Sequence, residues 1–181
     1  MKEKIMPAFV LCLICTIVCG LLVGAYKLTY VDNTGVMTDD LKEGCSDIFG
    51  EDEYSILKDE QGEVITDDNL IAIIRNTAKD KVIFEVKVDG FNKGGLHLLV
   101  GINKDGSVEG VYCLSISETP GLGSKVGKSS YLEKYKGVTD EASVDAVDNV
   151  QSATYSSKGV KSAAKTALEM YDKYKEAILG E

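Results

Sequence analysis

The residues with the most chemistry to offer lie in Asp148-Asn149-Val150-Gln151-Ser152-Ala153-Thr154-Tyr155-Ser156-Ser157-Lys158-Gly159-Val160. The small hydroxyl residues Ser152, Thr154, Ser156 and Ser157, with Lys158 beside them, crowd ahead of an amphipathic run from Ser162 to Leu179. A helix starting there turns unpaired backbone N–H groups and the positive end of its dipole toward whatever the hydroxyls hold. That arrangement suits a phosphate. An ordinary serine-rich cap reads the same way, with Ser156 or Ser157 accepting from first-turn amides, and spacing alone favours it.

A second stretch, Ser117-Glu118-Thr119-Pro120-Gly121-Leu122-Gly123-Ser124-Lys125, predicts a tight turn at a strand end. Pro at its second position and Gly at its third suit type II geometry. Gly121 and Gly123 let backbone approach a flat ligand closely, and Leu122 can lie against that ligand's face. By itself this is also a plain surface turn.

The two stretches together resemble the FMN-binding domains of the Rnf and Nqr respiratory complexes. Their flavin-attachment motif reads Asp, two variable positions, Ser or Thr, Gly, Ala, Thr. Asp148, Ala153 and Thr154 match it, and Ser156-Ser157 matches the hydroxyl pair that follows, while Gln151 and Ser152 depart from it. Glu118-Thr119-Pro120-Gly121-Leu122-Gly123 is the family's other recurrent motif, and Gly90–Gly95 looks like its glycine-rich turn. The best match is the G-type subunit of the Rnf complex, and the likeness runs from about Val82 to the C-terminus, plus the anchor.

That resemblance implies FMN bound covalently through a phosphoester to Thr154 and attached by a separate flavin transferase. Ser152, Ala153, Ser156, Ser157 and Lys158 would surround the phosphate. Pro120, Gly121, Leu122 and Gly123 would touch the ring, with Glu118 and Thr119 as polar contacts that tune it. It implies no catalytic side chain and no metal. The implied role is electron transfer beside the A, B, C, D and E components of a complex that couples ferredoxin:NAD oxidoreduction to Na+ or H+ translocation. A stand-alone membrane-anchored extracellular flavoprotein and an Nqr C-type subunit of a NADH:quinone reductase remain alternatives, as does a non-flavin interaction module in which both motifs are turns.

The elements that must position these residues follow from periodicity. Ala8 to Tyr26 carries no ionisable charge over 19 residues, about the ~20 needed to span a bilayer as a helix. A cleaved signal peptide ending near Val23-Gly24-Ala25 competes, but its apolar core would be long for ~7–15 residues. A retained anchor is preferred. The short N-terminus and long acidic remainder favour a cytoplasmic N-terminus and a domain on the outer face. From Leu28 onward there are 17 basic and 28 acidic residues, which makes nucleic acid a poor partner.

Leu28 to Gly35 reads as a linker. Thr38 can cap a short helix carrying Met37, Leu41, Cys45 and Ile48-Phe49, closed by Gly50. Short strands are expected at 54–57, 70–77, 82–88, 96–102 and 108–116, with a hairpin turn at Asn103–Gly106. In the third of these, Val82, Phe84, Val86 and Val88 share one face and charged Glu85 and Lys87 the other. The fold expected is α+β: an antiparallel meander with helices on one face. The chain divides into a cytoplasmic tip and anchor (1–28), a linker and peripheral helix (29–69) and the FMN-binding domain (70–181).

Cys12, Cys15 and Cys19 share one face of the anchor and read as small packing residues. Cys45 and Cys113 would both face an oxidising side, and their pairing is left open. His97 has no second histidine or paired cysteine near it and reads as a strand residue.

Overall fold

The structure is a computed structural model that describes residues 2–29 and 35–179. Most of the linker expected at Leu28–Gly35 lies outside the described residues. The chain forms two compact units, Met1–Asn33 and Thr34–Glu181.

In the first unit, α1 spans Lys2–Thr29 and begins ahead of Pro7 rather than after it. Within it Met6–Thr29 has a mean hydropathy of 2.7 over its most apolar window, so this helix is long and apolar enough to cross a membrane. Thr16 and Thr29 donate their hydroxyls to the carbonyls of Cys12 (2.9 Å) and Ala25 (2.8 Å), which keeps these polar groups paired within the helix.

The second unit opens with α2, Asp39–Phe49. Thr38 caps it by accepting from the Leu41 amide at 3.3 Å, and Gly50 ends it at φ +84°. Five strands follow: β1 Tyr54–Ile56, β2 Leu70–Asn76, β3 Lys81–Val88, β4 Leu96–Asn103 and β5 Val108–Ile116. They pair in sequence order, all antiparallel, as the expected meander. Short helices α3 (Ser129–Leu132) and α4 (Glu141–Ala146) lead to the long α5, Thr154–Leu179.

α5 covers one face of the sheet. Val160, Ala163, Ala164, Ala167 and Tyr171 are buried with Phe84, Val86, Leu98 and Ile102 in one continuous core. Small residues bring the helix close. A Cβ on Gly159 would meet the Asp89 carbonyl oxygen and Leu96 Cδ1, each at 2.5 Å, so only glycine permits this approach. Each fully buried apolar side chain contributes roughly 1.5–3 kcal/mol.

Helices were expected on one face, but both are covered. α2 seats Leu41 and Cys45 on Ile74, Ile83 and Leu99, with Ile48, Phe49 and Tyr112 around them. A Cβ on Gly44 would lie 2.6 Å from Leu99 Cδ1, so the contact is intimate. The segment read as linker and peripheral helix thus supplies an edge strand and the second helical layer. Its Leu41, Cys45 and Ile48 repeat is too short to signal what it packs against.

The second layer changes the face expected to carry charge. Ile83 there is fully buried, and Glu85 is only 7% exposed with its carboxylate 2.8 Å from His97 Nε2. It also separates the two cysteines of this unit. Cys45, on α2, packs on one face of the sheet, whereas Cys113 packs against the core on the α5 side, and both are free thiols.

Candidate functional site

The turn after β5 has the predicted geometry. The Leu122 amide donates to the Thr119 carbonyl (3.2 Å), Pro120 and Gly121 occupy the corner, and Gly121 has φ +76°. The Ser124 hydroxyl accepts from the Gly121 amide at 2.9 Å and holds the corner.

Before α5, the Ala153 amide donates to the Val150 carbonyl (3.0 Å), and the Val150 amide donates to Ser157 Oγ (3.0 Å). Ser152 sits between at φ +63°, a left-handed conformation that glycine adopts most easily. This is the position where the resembled motif carries glycine. α5 starts at Thr154, eight residues ahead of the periodic run at Ser162, because Ser156 and Ser157 turn inward instead of capping from outside. The first intrahelical bond runs from the Ser157 amide to the Ala153 carbonyl (2.9 Å), which leaves the amides of Thr154, Tyr155 and Ser156 without helical acceptors.

Glu118 joins these pieces. It is 6% exposed. Its Oε2 accepts from the Phe91 amide (3.1 Å) and from Ser156 Oγ (2.5 Å), and its Oε1 accepts from the Asn92 amide (3.0 Å). A single carboxylate therefore ties the Gly90–Gly95 loop, the turn after β5 and the first turn of α5. The loop is closed further by Asp89 Oδ1, which accepts from the Gly94 amide at 2.6 Å, and by the Asn92 side-chain amide, which donates to the Ser117 carbonyl.

The result is one cleft of about 240 Å3 lined by Phe91, Glu118, Thr119, Leu122, Gly123 and residues 152–156. Of the expected site residues, Thr154, Ser152, Ala153, Ser156, Glu118, Thr119, Leu122 and Gly123 come together here. Pro120, Gly121, Ser157 and Lys158 do not line it. Lys158 is exposed one helical turn from Thr154, on the same side of α5.

Two expectations change in detail. The room that Gly123 leaves is filled by protein, since a Cβ there would lie 2.5 Å from Ser156 Oγ and 2.8 Å from Glu118 Oε2. The hydroxyls of Ser156 and Ser157 are each engaged inside the protein, the first donating to Glu118 and the second accepting from the Val150 amide. Thr154 differs from both. It is exposed, and its hydroxyl makes no hydrogen bond among the described residues.

Sequence reasoning missed the cleft's aromatic rim. Phe91 and Tyr155 are each 68% exposed, and their rings meet edge to face at 6.4 Å. With Leu122, 46% exposed, they make up three of the four large hydrophobics that this unit exposes among the described residues. The available signal was an aromatic beside each element already singled out: one inside the glycine loop, one next to Thr154.

The cleft suits a flat ligand. At about 240 Å3 it falls below the ~300–1,000 Å3 of sites that enclose small molecules. A flat ring held there would stay partly in solvent, against apolar side chains. The exposed hydroxyl of Thr154 and the three amides without helical acceptors are groups of the kind that hold a phosphate.

Residues 92–169 match the FMN-binding domain family. It is similar to the G component of the ion-translocating oxidoreductase complex of Shewanella piezotolerans, 33% identical over 106 residues that cover 52% of this chain and 50% of that protein. The same-named component in Aliivibrio fischeri is 29% identical, with 60% and 57% covered. The G component of the proton-translocating ferredoxin:NAD(+) oxidoreductase complex of Clostridium ljungdahlii is 32% identical, with 42% and 45% covered. The chain spans about half the length of the curated relatives it matches.

Proposed function

We propose that this protein is a membrane-anchored electron carrier that holds FMN through a phosphoester to Thr154 and serves as a subunit of an Rnf-type complex. Both motifs converge on a single cleft, and at its rim stands an exposed, unpartnered threonine hydroxyl on the first residue of a long helix; that observation carries the reading. When bound, the flavin supplies reversible uptake and release of electrons.

The chain's own residues bind and orient. Thr154 is a tether and takes no part in turnover. The amides of residues 154–156 and the Lys158 ammonium meet the phosphate charge. Leu122, Phe91 and Tyr155 would supply apolar contacts to the ring. Glu118 fixes the loop and helix that carry these contacts. Covalent attachment makes occupancy independent of free FMN, which suits a domain on the outer face, where none is supplied. α1 would anchor the chain with its N-terminus in the cytoplasm. Electrons would pass between other subunits of a complex coupling ferredoxin:NAD oxidoreduction to Na+ or H+ translocation, with a flavin transferase required for maturation.

Mass spectrometry of the tryptic peptide containing Thr154, after co-expression with a flavin transferase, tests the attachment. The peptide is expected to carry the FMN mass, and Thr154→Val to lose it completely while folding normally. A wild-type peptide without that mass sinks the reading.

A further inference from the structure

Glu118 has a feature that clamping alone does not require. Its carboxylate is buried and lines the cleft, yet no Lys, Arg or His among the described residues pairs with it. Every polar contact made to it is a neutral donor: two backbone amides and the Ser156 hydroxyl.

Its position is strongly constrained. Cβ atoms on Gly90, Gly95 or Gly123 would collide with this carboxylate, so three glycines keep open the space it occupies. Bulk water does not screen a charge held this way, and its field reaches the cleft through low-dielectric surroundings. Hydrogen bonds to the carboxylate draw off part of that field.

We propose that Glu118 is a positioning residue that also works electrostatically: its buried, cation-free carboxylate makes a flavin held in the cleft harder to reduce. This rests on the flavin attachment above. An electron added beside a desolvated anion meets repulsion, so the midpoint potential lies lower than the same cleft would set without the charge. Ser156 has the opposite influence. Its O–H dipole points at Glu118 and partly offsets the charge.

The opposed signs give the test. The full chain in detergent, loaded with flavin by co-expression with a flavin transferase, is titrated spectroelectrochemically. Glu118→Gln is expected to shift the midpoint positive. Ser156→Ala keeps the charge but removes a donor, and is expected to shift it negative. A loaded Glu118→Gln variant at the wild-type potential overturns the proposal. So do shifts of the same sign in both variants, because looser packing alone would move them together. Should Glu118→Gln fail to hold flavin, Ser156→Ala decides alone, and an unchanged or more positive midpoint overturns the idea. A wild-type chain without flavin brings down the attachment and this proposal with it; a loaded wild type whose potential ignores both substitutions brings down this proposal only.

Discussion

Ser152 shows how a single backbone angle shapes the neighbourhood of Thr154. At φ +63° it holds a conformation that costs a non-glycine residue about 1–2 kcal/mol, and it does so two residues before Thr154. The strain persists because the Ala153–Val150 and Val150–Ser157 bonds close the turn around it. Ser152→Gly relieves the strain but gives the unfolded chain more freedom, which costs roughly 0.5–1 kcal/mol. The expected outcome is a net gain of about 0.5–1 kcal/mol in urea unfolding, with flavin loading intact. Ser152→Val should do the reverse, since a branched side chain fits this conformation worst.

Among the elements, α5 carries most of the burden. Its first turn presents Thr154, its middle covers the sheet, and its end is held by a residue remote in sequence. Arg75, on β2, donates from Nη1 to the carbonyls of Ala177 (3.2 Å) and Ile178 (3.1 Å). These are last-turn carbonyls with no helical partner, at the negative end of the dipole. Arg75→Ala should therefore lower stability by about 1–2 kcal/mol, seen as a drop in Tm of a few degrees. Flavin loading at the opposite end of the helix should be unaffected. A Tm equal to wild type would show that solvent serves these carbonyls equally well. At the helix start, Gly159 sets the depth at which α5 sits, and the first turn and the Gly90–Gly95 loop meet there.

For the molecule as a whole, the two-sided burial of the sheet predicts its response to alkali. Burial, and secondarily the nearby Glu85 charge, pushes the Cys45 thiol from 9.0 up to about 12. Tyr54 is pushed up to about 12, first by burial and then by Asp52. Tyr135 also rises, through burial and its hydrogen bond with Tyr131. These groups keep protons in the folded state that the unfolded chain gives up. Their contribution is complete below the unfolded value of the Cys45 thiol, 9.0, and is lost as pH climbs toward 12. Urea midpoints should be level from pH 7 to about 9 and fall steadily above it. A midpoint still level at pH 11 would mean that α2 does not seal its face of the sheet.

Much of this was legible in the letters. The Thr38 cap, the type II corner at Pro120-Gly121 and the apolar face of β3 (Val82, Phe84, Val86, Val88) depend on residues a few positions apart, and each was read correctly. Thr154 stood out because its neighbours spell a motif. The start of α5 was placed a few residues late, with Ser156 or Ser157 as its cap, because its first turn buries those two serines and so carries no apolar period. Phe91 and Tyr155 were missed because an exposed aromatic has no periodic signature.

The sequence by itself determined the strands, their turns and the long apolar N-terminal helix, because backbone preference and hydrophobic period act over two to four residues. Only the tertiary structure decided that α2 covers the second face of the sheet, that Cys45 and Cys113 are kept apart by it, and that Glu118 reaches Phe91, Asn92 and Ser156 at once. Those outcomes join residues 26 to 38 positions apart, or elements on opposite faces. What selects them is burial and the pairing of desolvated polar groups, which no local stretch of chain can specify.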